Sequence, residues 1–212
     1  HVPLLKKVAK LGKPIILSTG MCNLDEVRIS VNAIRDQGNE EIILMHCVSN
    51  YPSNIEELNL KSINTMKNEF NIPVGFSDHT IGINTTVAAA NMGANIVERH
   101  LRDPRNAPGP DDIHSLLKED FQKMINNIKD IEKATGTGVK IPTESEKKNL
   151  STNRVSVIAM KEILKGEQIS EDMIDIRRPG TGISPVEFQK IIGMKSNRII
   201  KFEEPLSWEM LE

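Results

Sequence analysis

The chain has 212 residues, of which 38% are hydrophobic and 26% charged, and a net charge of −2, an ordinary globular composition sufficient for one medium domain or two small ones. That balance gives no electrostatic reason for nucleic acid, interleaved lysines and glutamates give none for anionic membrane, and 3% aromatics disfavour a base-stacking surface. No apolar run approaches the roughly 18 residues of a spanning helix, and no charged-then-apolar leader opens the sequence, so a soluble cytoplasmic protein is the expectation.

In chain order, residues 2–11 are patterned as a helix, and Pro14, Ile15, Ile16 and Leu17 read as a buried strand that runs into polar Ser18, Thr19 and Gly20. Leu24, Val27, Val31 and Ile34 recur at helical spacing, with Asn23 placed to cap the helix and Gly38 to stop it. The unit then repeats. A strand over 42–45 precedes a helix marked by Ile63, Met66, Lys67 and Phe70. A strand over 72–76, with Pro73 at its very start, precedes a short alanine-rich helix over 83–92. A fourth strand is predicted to start over 94–97, and Leu117, Phe121, Met124, Ile125, Ile128 and Ile131 form the clearest helical stripe, ended by Gly136. Four strand–helix units with near-continuous apolar strands argue for an α/β fold with parallel pairing and helices outside. An open flavodoxin-like sheet and half of a (β/α)8 barrel both fit that pattern. Because a helix precedes the first visible strand, the chain is expected to begin inside a domain, with another strand before residue 1.

The texture changes near residue 140. Gly, Thr, Lys, Glu and Ser gather around one proline, which is linker composition, and the expected division is 1–136, a linker over 137–153, and 154–212. In the last part, residues 155–159 alternate at strand period, and turn signals follow at Lys165-Gly166, Arg178-Pro179-Gly180 and Gly182. Ser184 is placed to cap a short helix through Ile191 that Gly193 ends. This reads as a small β-rich module of about 60 residues, near the size where independent stability becomes marginal.

In parallel α/β architectures chemistry collects beyond the carboxyl ends of the strands, and all four strands here run into polar or reactive residues. The second ends in His46-Cys47-Val48-Ser49-Asn50-Tyr51, the third in Ser77-Asp78-His79-Thr80 and the fourth in Glu98-Arg99-His100. Neighbouring strands lie about 4.8 Å apart, so His79 and His100 can converge on one ion, leaving coordination positions open for substrate. The residues leave open the simpler alternative, in which each histidine caps a helix or bonds a buried carbonyl. His46 is read as structural, and His1 and the loop residue His114 are given no role. Pro108-Gly109-Pro110 fixes a rigid path that can aim Asp111 over the site. Ser18, Ser49 and Ser77 can donate hydrogen bonds to a phosphate or carboxylate. There is no Gly-rich phosphate loop and no Gly-x-Ser-x-Gly elbow. Cys22 and Cys47 are too few for a disulfide framework and lie outside any Cys-x-x-Cys, so both are expected to be buried neutral thiols.

Lys13 to Met21, His46-Cys47 with Tyr51-Pro52, Gly75 to Thr80, Glu98-Arg99-His100 and Pro108 to Asp111 occur in an order that resembles the sialic acid (nonulosonic acid) synthase family. The tail from Arg177 to Pro185 resembles that family's C-terminal antifreeze-like domain, of the SAF or β-clip type. The resemblance implies the C-terminal half of a (β/α)8 TIM barrel followed by a SAF domain, in a homodimer whose SAF domain reaches the partner's barrel. It implies a cytoplasmic N-acetylneuraminate synthase-type transferase that condenses phosphoenolpyruvate with an N-acetylated sugar aldehyde, such as N-acetylmannosamine, and releases phosphate by C–O cleavage.

By the same resemblance, His79 and His100 match the two ligands of a divalent metal, Mn2+ foremost, with Mg2+ or Co2+ as alternatives. Ser18 and Ser77 match contacts to phosphoenolpyruvate, Tyr51 and Asp111 contacts to the sugar, and Arg178 the arginine that meets the N-acyl group in the other subunit. Val48 stands where the family often has Thr and Ser49 where some members have Asn, and 101–105 differs from the commoner Phe-Thr-acidic texture, so sugar specificity does not carry over. The family's phosphate-binding lysines and its general base are expected upstream of residue 1, which makes this chain alone inactive. The alternative of another class is a non-catalytic carbohydrate- or partner-binding module.

Overall fold

The computed structural model describes residues 1–106 and 108–212, in two units, His1–Gly138 and Val139–Glu212. In the first, the four apolar runs form one parallel sheet in sequential order: β1 (Ile15–Ser18), β2 (Ile42–Cys47), β3 (Val74–Asp78) and β4 (Val97–Arg99). A doubly wound sheet reverses its order at a switch point. Here every strand lies beside its neighbour in sequence, the winding of a barrel wall, and the sheet is half of a (β/α)8 barrel.

The helices are α1 (Val2–Ala9), α2 (Leu24–Arg35), α3 (Ser62–Phe70), α4 (Asn84–Asn91) and α5 (Lys118–Thr135). Asn23 caps α2 through a full capping box: its side chain accepts from the Glu26 amide at 3.0 Å, and the Glu26 carboxylate accepts from the Asn23 amide at 2.8 Å. One face of the sheet supplies Ile15, Ile42, Leu44, Val74 and Phe76 to a core completed by Val27, Val31 and Ile34 of α2 and Ile63, Met66 and Phe70 of α3. Val87, Leu116 and Met124 form a smaller cluster between α4 and α5. Strands β2 to β4 close up only with glycine at position 75, where a Cβ would lie 2.5 Å from Met45 Sδ and 2.7 Å from the Ile96 carbonyl oxygen.

Two strand boundaries differ from the predicted ones. β3 starts after Pro73 and runs on to Asp78; the proline enters the sheet only through its carbonyl, which accepts from the Leu44 amide at 3.1 Å. β4 spans 97–99 rather than beginning at 94, because the Ala94 amide is used to close the end of α4 on Ala89 at 3.0 Å.

Side chains alternate across a strand, so the polar ends of β3 and β4 divide between two faces. On the helix side, Asp78 and Arg99 are register partners and form an ion pair at 2.9 Å with both side chains 0% exposed. Asp78 Oδ2 also accepts from the Thr85 and Thr86 hydroxyls, each at 2.6 Å, and Oδ1 from the Thr80 amide at 2.9 Å. Burial alone would push this carboxyl up, but those hydrogen bonds and the Arg99 charge hold it below its ordinary value.

The second unit is irregular, with α6 (Glu144–Lys147), α7 (Leu150–Asn153), an antiparallel pair β5 (Ser156–Ala159) and β6 (Ile174–Arg177), and α8 (Phe188–Ile191). Val157, Ala159, Ile163, Ile169, Ile174, Ile183, Ile191, Ile200 and Leu206 fill its core. A 3-10 turn, Pro185–Glu187, intervenes before α8, and Ser184 makes no side-chain capping bond. Residues 137–153, expected as a linker, contain α6 and α7. No helix among the described residues is long and apolar enough to cross a membrane.

Asp78→Asn leaves a buried guanidinium without its counter-charge and should lower the unfolding free energy by about 3–5 kcal/mol in urea denaturation. The sign with pH follows from the depressed carboxyl. Its contribution is fully present above the unfolded value of about 3.9 and is lost as pH falls through the lower folded value. The variant should therefore lose stability less steeply than the wild type below that pH.

Candidate metal centre

His79 and His100 each stand one residue past a strand, β3 and β4 respectively. The register Ser77↔Glu98 and Asp78↔Arg99 carries forward to these two positions, which alternation assigns to the Ser77–Glu98 face, opposite the buried ion pair. Their ring centroids are 5.4 Å apart.

His79 is 5% exposed, and its ring is held through Nδ1. Nδ1 lies 2.9 Å from the Val48 carbonyl oxygen, and because a carbonyl only accepts, the proton sits on Nδ1 and the lone pair on Nε2. A backbone acceptor behind a histidine is the usual way a metal-ligand ring is oriented and made more basic. Nε2 is 3.3 Å from the Ser77 hydroxyl, which donates to Glu98 Oε1 at 2.6 Å. The loop after β2 wraps the same ring: the Ser53 amide donates to the His79 carbonyl at 3.0 Å, and the Tyr51 ring centroid is 4.2 Å from that of His79.

The structure adds a residue that the sequence left without a role. His114 is 2% exposed, and its ring centroid lies 4.6 Å from His100, 5.5 Å from Tyr51 and 6.2 Å from His79. The loop after β4 folds back so that the Leu116 amide donates to the His100 carbonyl at 2.9 Å, and Arg99 Nη2 donates to the His114 carbonyl at 3.2 Å. Among the described residues, neither ring nitrogen of His114 has a hydrogen-bond partner, a deficit worth about 1–3 kcal/mol per group. Burial first, and then the neighbouring His100, push its pKa down, which keeps the imidazole neutral and able to offer a lone pair.

Asp111 completes the cluster. Its Oδ2 is 3.6 Å from His100 Nδ1 and its Oδ1 4.0 Å from His114 Nε2. Ligand atoms of His100, Asp111 and His114 all lie within 4.8 Å of one another, a group that can hold a metal ion. The donors fit a first-row divalent cation, since imidazole and carboxylate both suit such ions, and the unpartnered His114 nitrogens are the kind of buried group an ion would satisfy.

Ser18 ends β1 in register with Met45 and is exposed. Ser49 is partly buried beside Gly20, where an added Cβ would collide with the Ser49 hydroxyl. Thus the ends of β1 and β2 also meet. Arg178 belongs to the second unit, where its Nε donates to the Asn153 carbonyl at 3.1 Å. His46 bonds the Leu58 carbonyl through Nε2 at 2.7 Å and stacks on Phe76. Cys47 is buried, and burial pushes its thiol up; Cys22, expected to be buried, is instead exposed in the loop after β1.

Residues 1–140 match the NeuB family and residues 154–212 the SAF domain. An uncharacterized protein of Methanocaldococcus jannaschii is 43% identical over 209 residues, covering 99% of this chain and 62% of that one. The N,N'-diacetyllegionaminic acid synthase of Campylobacter jejuni is 39% identical over 206 residues, covering 96% and 62%. Among solved structures, the spore coat polysaccharide biosynthesis protein spsE of Bacillus subtilis superposes with a TM-score of 0.61 at 30% identity, covering 100% of this chain and 64% of that one. The chain thus spans about three fifths of the length of the curated relatives it matches.

Metal-stripped protein titrated with Mn2+ in a calorimeter should take up one ion per chain. His100→Ala should weaken that binding by at least about tenfold, the lower end of what even an outer-shell change costs. Unaltered affinity in the variant would exclude this cluster as the binding site.

Proposed function

The chain belongs to the NeuB family, and from that premise we propose that it is the metal-bearing barrel half and SAF domain of a transferase that joins phosphoenolpyruvate to an N-acetylated sugar aldehyde. The products are a nonulosonic acid and phosphate. The observation that carries this reading is the convergence of His79, His100, Tyr51 and Asp111 at the carboxyl ends of β2 to β4. The domain division proposed is 1–136 for the barrel half, 137–153 for the linker and 154–212 for the SAF domain.

In this reading His79 and His100 hold Mn2+, whose role when bound is to polarise the aldehyde oxygen as a Lewis acid. The Val48 carbonyl keeps the His79 proton on Nδ1 and so keeps Nε2 turned to the site. Ser18, Ser49 and Ser77 donate to the carboxylate and phosphate of phosphoenolpyruvate. The Ser77 hydroxyl is now directed at Glu98 and would have to turn to the substrate. Tyr51, 51% exposed, offers a ring face and a hydroxyl to the sugar, and Asp111 accepts from sugar hydroxyls. Arg178 serves the N-acyl carbonyl of sugar bound in the other subunit of a homodimer, a task suited to a planar guanidinium. The phosphate-binding lysines and general base are assigned to the part of the relatives' length that this chain does not span.

Two measurements test the reading. In the full-length synthase with Mn2+, N-acetylmannosamine and phosphoenolpyruvate, replacing His79 and His100 together by alanine should cut phosphate release by about 10²-fold or more, as loss of charge stabilisation at a reacting oxygen does elsewhere. The 212-residue chain assayed alone should release none above background. Robust metal-dependent release by this chain would place the base within it and overturn the division of labour proposed.

A further inference from the structure

We propose that His114 is a third imidazole ligand of the ion held by His79 and His100, an inference that rests on the metal reading above and extends it. The resemblance assigns two histidines, and His114 lies outside its motifs. Its position is nevertheless built. The Leu116 amide bonds the His100 carbonyl, Arg99 bonds the His114 carbonyl, and Leu101 bridges Leu116 across the returning loop, so the backbone that carries the ring is anchored at three points. The ring is enclosed, its side chain 1% exposed, and both nitrogens lack hydrogen-bond partners among the described residues. A buried histidine with a structural role has at least one nitrogen bonded, as His46 does to Leu58. His114 has neither.

The spacing of the rings agrees. Metal–nitrogen bonds of about 2.1 Å place the centroids of two imidazoles on one ion roughly 4.5–5.5 Å apart. His100 stands 4.6 Å from His114 and 5.4 Å from His79. The third edge, His79 to His114, is 6.2 Å, outside that range, so these two rings must draw together when both hold the ion. Asp111, 54% exposed, stands in the same cluster beside His100 and His114.

The decisive experiment is pulsed EPR on the full-length protein loaded with Mn2+, which counts coupled imidazole nitrogens without any substitution. Three coupled rings are expected in the wild type and two in His114→Asn, with Mn2+ affinity lower by about tenfold or more in the variant. Two rings in the wild type, unchanged by His114→Asn, would overturn the inference and leave the His79–His100 site standing. No coupled ring in the wild type would overturn both. Because the wild-type count decides, a variant that folded poorly would not spare the proposal.

Discussion

Everything at the mouth of the half barrel hangs on one buried ion pair, Asp78 with Arg99. The charges belong to register partners on adjacent strands and are fully enclosed, so each is stable there only while the other is present. Each also reaches forward. Asp78 gathers the Thr80 amide and the hydroxyls of Thr85 and Thr86, which ties the end of β3 to the start of α4. Arg99 gathers the carbonyls of Thr80 and His114, which ties β3 to the loop returning from β4. The residues next to the pair are His79 and His100. The period of two turns them to the other face, so the polar network beneath the sheet sets the spacing of the imidazoles above it.

Much of this was legible in the sequence because it depends on local period. The capping residue Asn23, the apolar faces of α2 and α3, and the polar strand ends are all set within a few residues of themselves. The start of β4 differs for a physical reason: Ala94 and Ile96 are apolar enough for a strand, yet the Ala94 amide closes the helix before them. His114 was illegible for a different reason. Little within its own loop marks it; its burial depends on a bridge between Leu101 and Leu116 and on an arginine 15 positions upstream. Only the Asp111-x-x-His114 spacing, which one turn of chain brings to the same side, hinted at it. Cys22 shows the opposite error, since closeness to a strand does not bury a side chain once the chain has turned out of the sheet. Period says nothing of substrate; the substrate roles proposed for the strand-end residues come from the family resemblance.

The two units use different means to stay ordered. The first buries aliphatic side chains between a parallel sheet and long amphipathic helices. The second has only one pair of four-residue strands, and its isoleucine-rich core is held by scattered bridges such as Ile163 with Ile200 and Ser196 with Leu211. Such a module tolerates change in its turns less well than a sheet does. A Cβ at Gly182 would lie 2.7 Å from the Leu206 carbonyl oxygen and 3.0 Å from Pro205 Cβ and the Ser156 hydroxyl, so the Arg178-to-Gly182 turn and the core beneath it are one piece of structure.

The chain contains a single tyrosine and a single tryptophan, and the fold gives one to each unit: Tyr51 against His79, and Trp208, 46% exposed, in the second. The protein therefore carries its own optical labels. Tyrosine emission senses events beside the histidines, where a bound paramagnetic ion would quench it, and tryptophan emission senses the SAF unit. Each ring reports on its own unit, readable in solution without attaching a dye.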